Sequence, residues 1–452
     1  MKIVIVGAGE VGSHLAKMLG HEGGDVTVID SDPARIAHLR SVADAATIVG
    51  NPSSIEILKS AGVQKADLFV SVYPFATQEM NIVCAILAKN LGAKKVTARI
   101  NDENFLNPEN KILFKDMGIE LLFYPEKIAA EEIVDQLRHS GSSEYMDFAH
   151  GKLQIAVFKI EEDSQLLDLK LGEFVAKVGD AAENFRIIAI SRDEQTLIPR
   201  FDTKFLYHDL VFTISRREGI PTLLHLFGKS NVEVDKVMIL GGSRTGEHVA
   251  KALCSQISEI KLIDKDKARC VELSEKLDDK IQVVHGDGRN TDFLLEESIR
   301  DYDAFVAVTD NDEANILACV VAKRFGIEKT IAEVENIEYI HLAEEMGVDT
   351  VINKKLITAG RIFRFTLSGK ARFVKYMSGT NAEILEYTVA PGSAITRAPL
   401  KDLGFPENAI VGGVIRGSES FIAVGDTRIE AYDRVAVFAL PESVKEVDRF
   451  FK

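Results

Sequence analysis

The first thirty residues constrain the fold of this chain more than any other stretch. An apolar run at Lys2–Val6 leads into the turn Gly7-Ala8-Gly9-Glu10-Val11-Gly12, and a second apolar run ends at Asp30. Apolar runs of this length on either side of a glycine turn and a helical stretch are typical of two buried parallel strands joined by a helix. The sequence therefore predicts a strand, a tight turn, a helix and a second strand that ends in a carboxylate.

The glycines of this turn match the fingerprint of a dinucleotide-binding Rossmann unit. Gly7 allows the sharp turn, Gly9 leaves room for a pyrophosphate, and Gly12 lets the helix pack closely on the strand. The helix N-terminus then offers free N–H groups to phosphate. Asp30 stands where a ribose diol would lie, which favours NAD(H) over NADP(H). The alternative is a Rossmann-like fold in which the glycines serve packing alone.

The same pattern returns in the second half of the chain. A further apolar run, Lys236–Leu240, enters a second glycine turn, and another strand ends in an acid. A constant spacing of 234 residues relates three pairs: Gly7 and Gly241, Gly12 and Gly246, Asp30 and Asp264. Such a spacing indicates an internal duplication.

The remaining pattern predicts four structured parts. Strands alternate with helices after each glycine turn, as in an α/β doubly wound parallel sheet, and short strands among turn residues follow each of these stretches. The expected domains are a Rossmann-like domain at residues 1–140, a small α+β module at 141–217, a linker at 218–234, a second Rossmann-like domain at 235–369 and a second small module at 370–452.

The two copies differ at positions that would face a phosphate. Ser243 replaces Gly9, which places a side chain where a pyrophosphate approaches most closely. Glu333 replaces Arg99, and a glutamate would repel a phosphate that an arginine could bind. Because Arg244 compensates only in part, the first site is expected to bind a dinucleotide more tightly than the second.

Composition narrows the class of protein. The 452-residue chain has a formal charge of −15, which argues against sequence-independent nucleic-acid binding and against adsorption to an anionic membrane. Since Met1-Lys2 leads straight into the first strand, no signal peptide is expected. Four scattered cysteines, without CxxC spacing, are expected to be reduced core thiols of a cytoplasmic protein rather than metal ligands.

These features together resemble the TrkA family, the peripheral subunits of Trk potassium-uptake systems. The resemblance rests on the GAGEVG turn, the ADLFVSV strand followed by Glu79 and Asn81, the ARI strand with Arg99, and the duplication of domains that regulate conductance of potassium. It implies a cytoplasmic regulatory subunit that binds NAD(H), with ATP or ADP left open at the second site. It also implies docking on a membrane-embedded potassium translocator, without lipid insertion, and assembly into a homo-oligomeric ring.

The resemblance also implies the positions of the two nucleotide sites. In the first, Gly7 to Val11 would meet the pyrophosphate, Asp30 the ribose, Asn51 the adenine side and Arg99 a phosphate. The residues carried over for the first site are Gly7, Ala8, Gly9, Glu10, Val11, Gly12, Asp30, Asn51, Val72, Tyr73 and Arg99. The second-site residues are Gly241, Gly242, Ser243, Arg244, Thr245, Asp264 and Asp287.

Two positions depart from the family pattern. Tyr73 stands where the family usually has a small hydroxyl residue, and the loop after it is longer than its counterpart in the repeat. Asn51 stands where the second copy has an acid. Both departures leave the identity of the ligand open.

An NAD-dependent oxidoreductase is the alternative from a different class. Such an enzyme needs an acid or base, often a histidine with a positioning carboxylate, facing the nicotinamide. Neither small module carries a histidine cluster or a convergent acid pair, which favours a non-enzymatic sensor. A nucleotide-binding scaffold without a role in ion transport is the remaining interpretation.

Overall fold

Six parallel strands form the first sheet. The computed structural model describes residues 1–21, 23–73, 78–138, 144–148, 151–192, 195–229, 234–366, 371–376, 380 and 382–451. The strands are β1 (Lys2–Val6), β2 (Asp25–Asp30), β3 (Ala46–Val49), β4 (Leu68–Ser71), β5 (Lys95–Arg99) and β6 (Leu121–Phe123). The helices are α1 (Glu10–His21), α2 (Pro33–Val42), α3 (Ile55–Ser60), α4 (Gln78–Leu91), α5 (Pro108–Asp116) and α6 (Pro125–Arg138).

The strand order of this sheet places a ligand crevice beside β1. The order is β3-β2-β1-β4-β5-β6, so the direction of strand addition reverses between β1 and β4. Ligands of open α/β sheets bind at such a reversal, at the carboxyl ends of the strands. Ile3, Val4, Ile5 and Val6 are all fully buried, as expected of a central parallel strand covered on both faces.

An antiparallel five-stranded sheet follows as the first small module. Its elements are β7 (Glu144–Phe148), β8 (Leu153–Lys159), α7 (Leu171–Val178), β9 (Phe185–Arg192), β10 (Gln195–Leu197), β11 (Leu210–Ser215) and α8 (Ile220–Leu226). The strand order is β10-β9-β11-β8-β7.

Helix α8 lies inside the stretch that the sequence predicts to be a linker. Leu223, Leu224 and Leu226 of this helix are buried in the core of the first small module. The linker prediction is therefore wrong for residues 220–226, because the glycine and proline that suggested a linker flank and start a short helix instead. Residues 230–233 of the predicted linker lie outside the described residues.

The second half repeats the architecture. Its parallel sheet comprises β12 (Lys236–Leu240), β13 (Glu259–Asp264), β14 (Ile281–His285), β15 (Ala304–Ala307), β16 (Lys329–Glu333) and β17 (Thr350–Ile352). The helices are α9 (Arg244–Leu253), α10 (Lys267–Lys276), α11 (Thr291–Glu296), α12 (Asp312–Arg324), α13 (Glu338–Glu345) and α14 (Lys354–Thr366). The order β14-β13-β12-β15-β16-β17 matches the first sheet strand for strand.

The second small module closes the chain and shares a core with the first. Its elements are β18 (Ala371–Tyr376), β19 (Glu383–Thr388), β20 (Ala409–Arg416), β21 (Glu419–Ile422), β22 (Arg434–Ala439) and α15 (Val444–Phe450). Ile155 and Ile214 of the first module join Ile384 and Phe438 of the second in one apolar cluster. The predicted fold class, two doubly wound parallel sheets each followed by a small α+β module, is confirmed.

The two halves exchange a helix. Ala130, Ile133 and Leu137 of α6 are buried in the core of the second parallel sheet, where they join Val249 of α9. In return, α14 packs along α1 and places Ile362 in the core of the first half. Each half therefore supplies part of the apolar core of the other.

Replacement of Ile133 by Ala tests this exchange. Ile133 is 0% exposed, so the cavity left behind should lower the free energy of unfolding by about 2–5 kcal/mol. Urea denaturation followed by circular dichroism measures the loss. Val271→Ala is the control, because Val271 is 52% exposed and its truncation should change stability by no more than about 0.5 kcal/mol. Equal effects of the two substitutions would contradict a core role for α6.

Candidate nucleotide-binding site

The first glycine turn has the backbone that the fingerprint requires. Gly7 adopts a φ of +106°, and its N–H donates to the carbonyl oxygen of Ile29 at 2.8 Å. A Cβ at Gly12 would lie 1.8 Å from the Gly7 carbonyl oxygen, so only glycine lets α1 start this close to the turn. A Cβ at Gly9 would meet nothing within 4 Å. The space above the N-terminus of α1 is therefore open to an anion.

Asp30 holds this turn against the end of β2. Its Oδ2 accepts the N–H of Ala8 at 2.7 Å, and its Oδ1 accepts the N–H of Asp32 at 2.8 Å. The phenol of Tyr73 also donates to Oδ1, at 3.2 Å. Asp30 is 0% exposed, so in this structure its carboxylate bonds to the protein on every side and does not open to the crevice.

A cavity of about 310 Å³ lies over the glycine turn, and both halves of the chain line it. The first half contributes the turn, the ends of β4 and β5, and the start of α6, while the second half contributes the loop after β16 and the start of α14. The lining residues are Gly9, Glu10, Val11, Arg35, Val72, Arg99, Pro125, Glu126, Glu335, Lys354 and Lys355.

An ion pair joins the two halves across this cavity, and further ion pairs within the second half lie beside it. Lys355 of α14 lies 3.0 Å from the Glu10 carboxylate at the start of α1. Lys354 lies 2.6 Å from Glu333 and 2.9 Å from Glu335. Burial alone would lower the pKa of Lys354, but these two carboxylates raise it above its usual value. Lys354 is therefore a charged side chain held in the cavity wall.

Arg99 lies in the cavity wall, as its position at the end of β5 predicts, but it already has an anionic partner. Its guanidinium donates to Glu126 at 3.0 Å, and both side chains are about 85% buried. Arg99 Nε and Glu126 Oε2 are buried and have no hydrogen-bond partner among the described residues. Unpaired buried polar atoms in a cavity wall mark a place where a polar ligand can bind.

The second glycine turn has the same backbone with a different helix start. Gly241 has a φ of +114°, and the N–H of Gly242 donates to Asp264 at 2.6 Å, as Ala8 does to Asp30. Ser243 is the N-cap of α9, and its hydroxyl accepts the N–H of Gly246 at 3.2 Å. The serine thus stands at the predicted position, with a capping role that the fingerprint comparison did not predict.

A network of charged side chains around the buried Glu247 stabilises the second turn. Arg269 donates to the carbonyl oxygen of Gly242 at 2.7 Å and to Glu247 at 2.9 Å. Glu247 is 5% exposed and also pairs with Lys251 at 2.7 Å and Lys276 at 2.6 Å. At the matching positions the first copy has Ser13 and Arg35, and Arg35 points towards Asp30 instead. The second site therefore differs from the first more through this network than through Ser243.

Glu333 does not present an uncompensated charge to the second site. It is 3% exposed, pairs with Lys354 and is hydrogen-bonded to Thr245. The expectation that it would repel a phosphate is therefore corrected, since Lys354 neutralises it. Arg244, expected to compensate for it, lies on the exposed side of α9.

Asn51 and Asp287 shape local turns instead of lining the cavity. The side-chain oxygen of Asn51 accepts the N–H of Ser53 at 3.0 Å, ahead of α3. Asp287 pairs with Arg289 at 2.7 Å, which lowers the pKa of Asp287 to about 2. Both side chains are exposed, and Asn51 does not contribute to the wall of the cavity over the first turn.

The structure brings only part of the predicted first site to the cavity. Gly9, Glu10, Val11, Val72 and Arg99 line it, whereas Asp30 and Tyr73 are buried beside it. The missed residues are Arg35, Pro125, Glu126, Glu335, Lys354 and Lys355. The sequence contained one signal for these residues. Lys354 and Lys355 follow the sixth strand of the second copy at the positions that Pro125 and Glu126 hold after the sixth strand of the first copy.

A metal site, a membrane-spanning helix or a disulfide would each require a specific arrangement of residues in the part of the chain that the structure describes. Within it, no group of three or more His, Cys, Asp or Glu side chains is placed to hold a metal ion. None of its helices combines the length and the apolar character that a membrane span requires. All four cysteines are free thiols.

Fold and site together define a tandem Rossmann protein of the dinucleotide-binding type. The TrkA-N domain pattern matches residues 3–125 and 237–354, and the TrkA-C domain pattern matches residues 384–452. The Trk system potassium uptake protein TrkA homolog 1 of Methanosarcina mazei is 32% identical over the full length of both chains. TrkA of Halomonas elongata is 30% identical over 100% of this chain and 99% of its own. The chain belongs to the TrkA family, which confirms the resemblance noted in the sequence.

Solved structures support the fold. The RCK domain of GsuK superposes with a TM-score of 0.60 at 15% identity, covering 100% of this chain and 94% of that one. The GsuK channel bound to NAD gives a TM-score of 0.61 at 15% identity, covering 100% of this chain and 78% of that one. Likeness at this identity shows the shared fold.

The Glu247 network predicts a pH-dependent stability. Burial would raise the pKa of Glu247, but Lys251, Lys276 and Arg269 lower it from 4.5 to about 2. This contribution, on the order of 3 kcal/mol, is complete above about pH 4.5 and is lost as the pH falls towards 2. Glu247→Gln should therefore flatten the fall in Tm between pH 6 and pH 3. Glu275→Gln, an exposed position on α10, is the control and should follow wild type; an unchanged profile for Glu247→Gln would contradict the network.

Proposed function

We propose that this protein is a nucleotide-responsive regulatory subunit of a Trk-type potassium uptake system that binds NAD(H) at its first glycine turn. The observation that carries the proposal is the cavity over the N-terminus of α1, in a chain of the TrkA family. The amides at the start of α1 suit a pyrophosphate, and the cations of Arg35, Lys354 and Lys355 lie around it, although both lysines also pair with carboxylates of the wall.

The fingerprint assigns roles to the proposed ligand contacts. The turn from Gly7 to Gly12 would hold the pyrophosphate, Asp30 would meet a ribose, and Val72 and Tyr73 would line the cleft after β4. At the second turn, the network around Arg269 occupies part of the same region, so we propose weaker binding there, with ATP or ADP as the candidate ligand.

The cavity favours regulation over catalysis. Two of its carboxylates are already held in ion pairs, Glu10 with Lys355 and Glu126 with Arg99, so they join parts of the chain and are not free to act on a substrate. A ligand between the two halves changes the ion pairs that join them and so favours one relative arrangement over another. The alternative function is that of an oxidoreductase, and titration with NADH in the presence of an acceptor distinguishes it from a regulatory role.

Matched apolar patches support assembly into a ring. Val83, Leu113 and Met117 of the first half are exposed on and beside α4 and α5, and their counterparts Leu317, Leu342 and Met346 are exposed in the second half. A patch repeated on both copies suits contacts between like domains. We propose that these surfaces join copies of this chain into a ring, which docks on a membrane-embedded potassium translocator from the cytoplasm.

Direct titration with NADH tests the first part of the proposal. The chain has no tryptophan, so NADH fluorescence can be read over little protein background. We expect saturable binding to the full-length protein without consumption of NADH when a ketone or 2-oxo acid is added. Gly9→Ser should fold normally, because its Cβ meets open space, and should weaken binding by roughly tenfold or more, as expected when a side chain displaces a charge-assisted hydrogen bond. Steady oxidation of NADH would favour the oxidoreductase.

Introduction of a glutamate into each of the two apolar patches tests the proposed assembly. The double variant Leu113→Glu and Leu342→Glu should lower the mass measured by light scattering from that of a ring to that of a smaller species, because carboxylates are costly to bury in an apolar contact. Val271→Glu, exposed on α10 outside the patches, should leave the mass unchanged. An unchanged mass for the double variant would show that these surfaces do not join copies.

A further inference from the structure

Tyr73 crosses the crevice in which the first nucleotide site lies. It follows β4, whereas the groups that its phenol contacts lie at the end of β2, on the other side of β1. The phenol donates to Asp30 at 3.2 Å and accepts the N–H of Ser31 at 2.9 Å. The ring therefore passes over the carboxyl end of β1, next to Gly7, whose Cβ position would be 3.0 Å from Tyr73 N.

The second copy shows the same crevice without this bridge. Thr309 has the place of Tyr73, and its N–H donates to Asn315 as that of Tyr73 does to Asn81. The hydroxyl of Thr309 bonds to Asn315 at 2.6 Å and does not reach the acid at the end of β13. That acid, Asp264, is partly exposed, whereas Asp30 is 0% exposed.

The hydrogen bond from the Tyr73 phenol to Asp30 occupies the position that a ribose hydroxyl would take. In a dinucleotide-binding Rossmann unit the acid at the end of the second strand accepts a hydrogen bond from the adenosine ribose. Here the Tyr73 hydroxyl donates to that acid instead. Consistent with this, neither Asp30 nor Tyr73 lines the cavity over the glycine turn.

We propose that Tyr73 closes the ribose subsite of the first nucleotide site and that an adenosine nucleotide binds only by displacing it. The inference rests on the proposed binding of NAD(H) at this turn. A ribose hydroxyl replaces the phenol on Asp30, and the Ser31 amide becomes free for another acceptor.

Displacement of Tyr73 lowers the apparent affinity of the site. The side chain is 9% exposed and belongs to the apolar cluster under α4, so opening moves a buried ring towards water. Burial also raises the pKa of the Tyr73 phenol, which keeps it a neutral hydrogen-bond donor to Asp30. A site that is open for only a fraction of the time binds with an affinity reduced by that fraction.

Two substitutions at Tyr73 test the proposal by fluorescence titration of NADH on the full-length protein. Tyr73→Thr installs the residue of the second copy, and Tyr73→Phe keeps the ring but removes its bonds to Asp30 and Ser31. We expect the Kd for NADH to fall by roughly five- to tenfold in Tyr73→Thr, and by a smaller factor in Tyr73→Phe, as expected when one or two hydrogen bonds of the closed state are lost.

The control is Tyr302→Phe, which removes a buried phenol bonded to Glu259 at 2.7 Å in the second half and should leave the Kd unchanged. Thermal unfolding of each variant verifies that it is folded. If wild type binds NADH and both Tyr73 variants bind equally well or more weakly, the ring is a structural or ligand-contacting residue, and the inference is overturned while the proposed function stands. If neither wild type nor any variant binds NADH, the proposed function fails first.

Discussion

The exchange of α6 and α14 is the contact on which the rest of this structure depends. Each helix packs its apolar face against a helix of the other half, α6 on α9 and α14 on α1, and buries Ile133 or Ile362 in that half's core. Burial of such side chains contributes about 1.5–3 kcal/mol each, so neither parallel sheet has a complete core without its partner. The exchange also places the start of α14 over the first glycine turn. The candidate site is therefore a product of two halves and not of one Rossmann domain.

The residue that ends the fifth strand of each parallel sheet forms an ion pair in both copies, but the sign of its charge is opposite. The strand-end residue is Arg99 in the first copy and pairs with Glu126, whereas in the second copy it is Glu333 and pairs with Lys354. Removal of one partner from such a buried pair leaves an uncompensated charge and is strongly destabilising. The two sites thus keep their internal charge balance with opposite signs. An entering phosphate meets cations supplied by the second half, Lys354 and Lys355, in addition to the helix amides.

Much of the backbone could be predicted from local sequence patterns. The limits of β1 agree with its apolar run residue for residue, because a buried central parallel strand is uniformly apolar and bounded by turn residues. Prediction failed where a long-range contact decides the outcome. Glycine and proline around α8 indicated a linker, yet its leucines find a core in the small module. Similarly, the sequence could not reveal that Arg99 has Glu126 as a partner.

By itself, then, the sequence determined the duplication, the two glycine turns and the acids that follow them, since a sharp turn and a close helix start depend on residues that are near in sequence. Tertiary structure alone decided which half each helix completes, which charges meet at the cavity and that the phenol of Tyr73 lies over Asp30. The physical reason is distance along the chain. Lys355 and Glu10 are brought within 3.0 Å only after both sheets have formed and exchanged their helices.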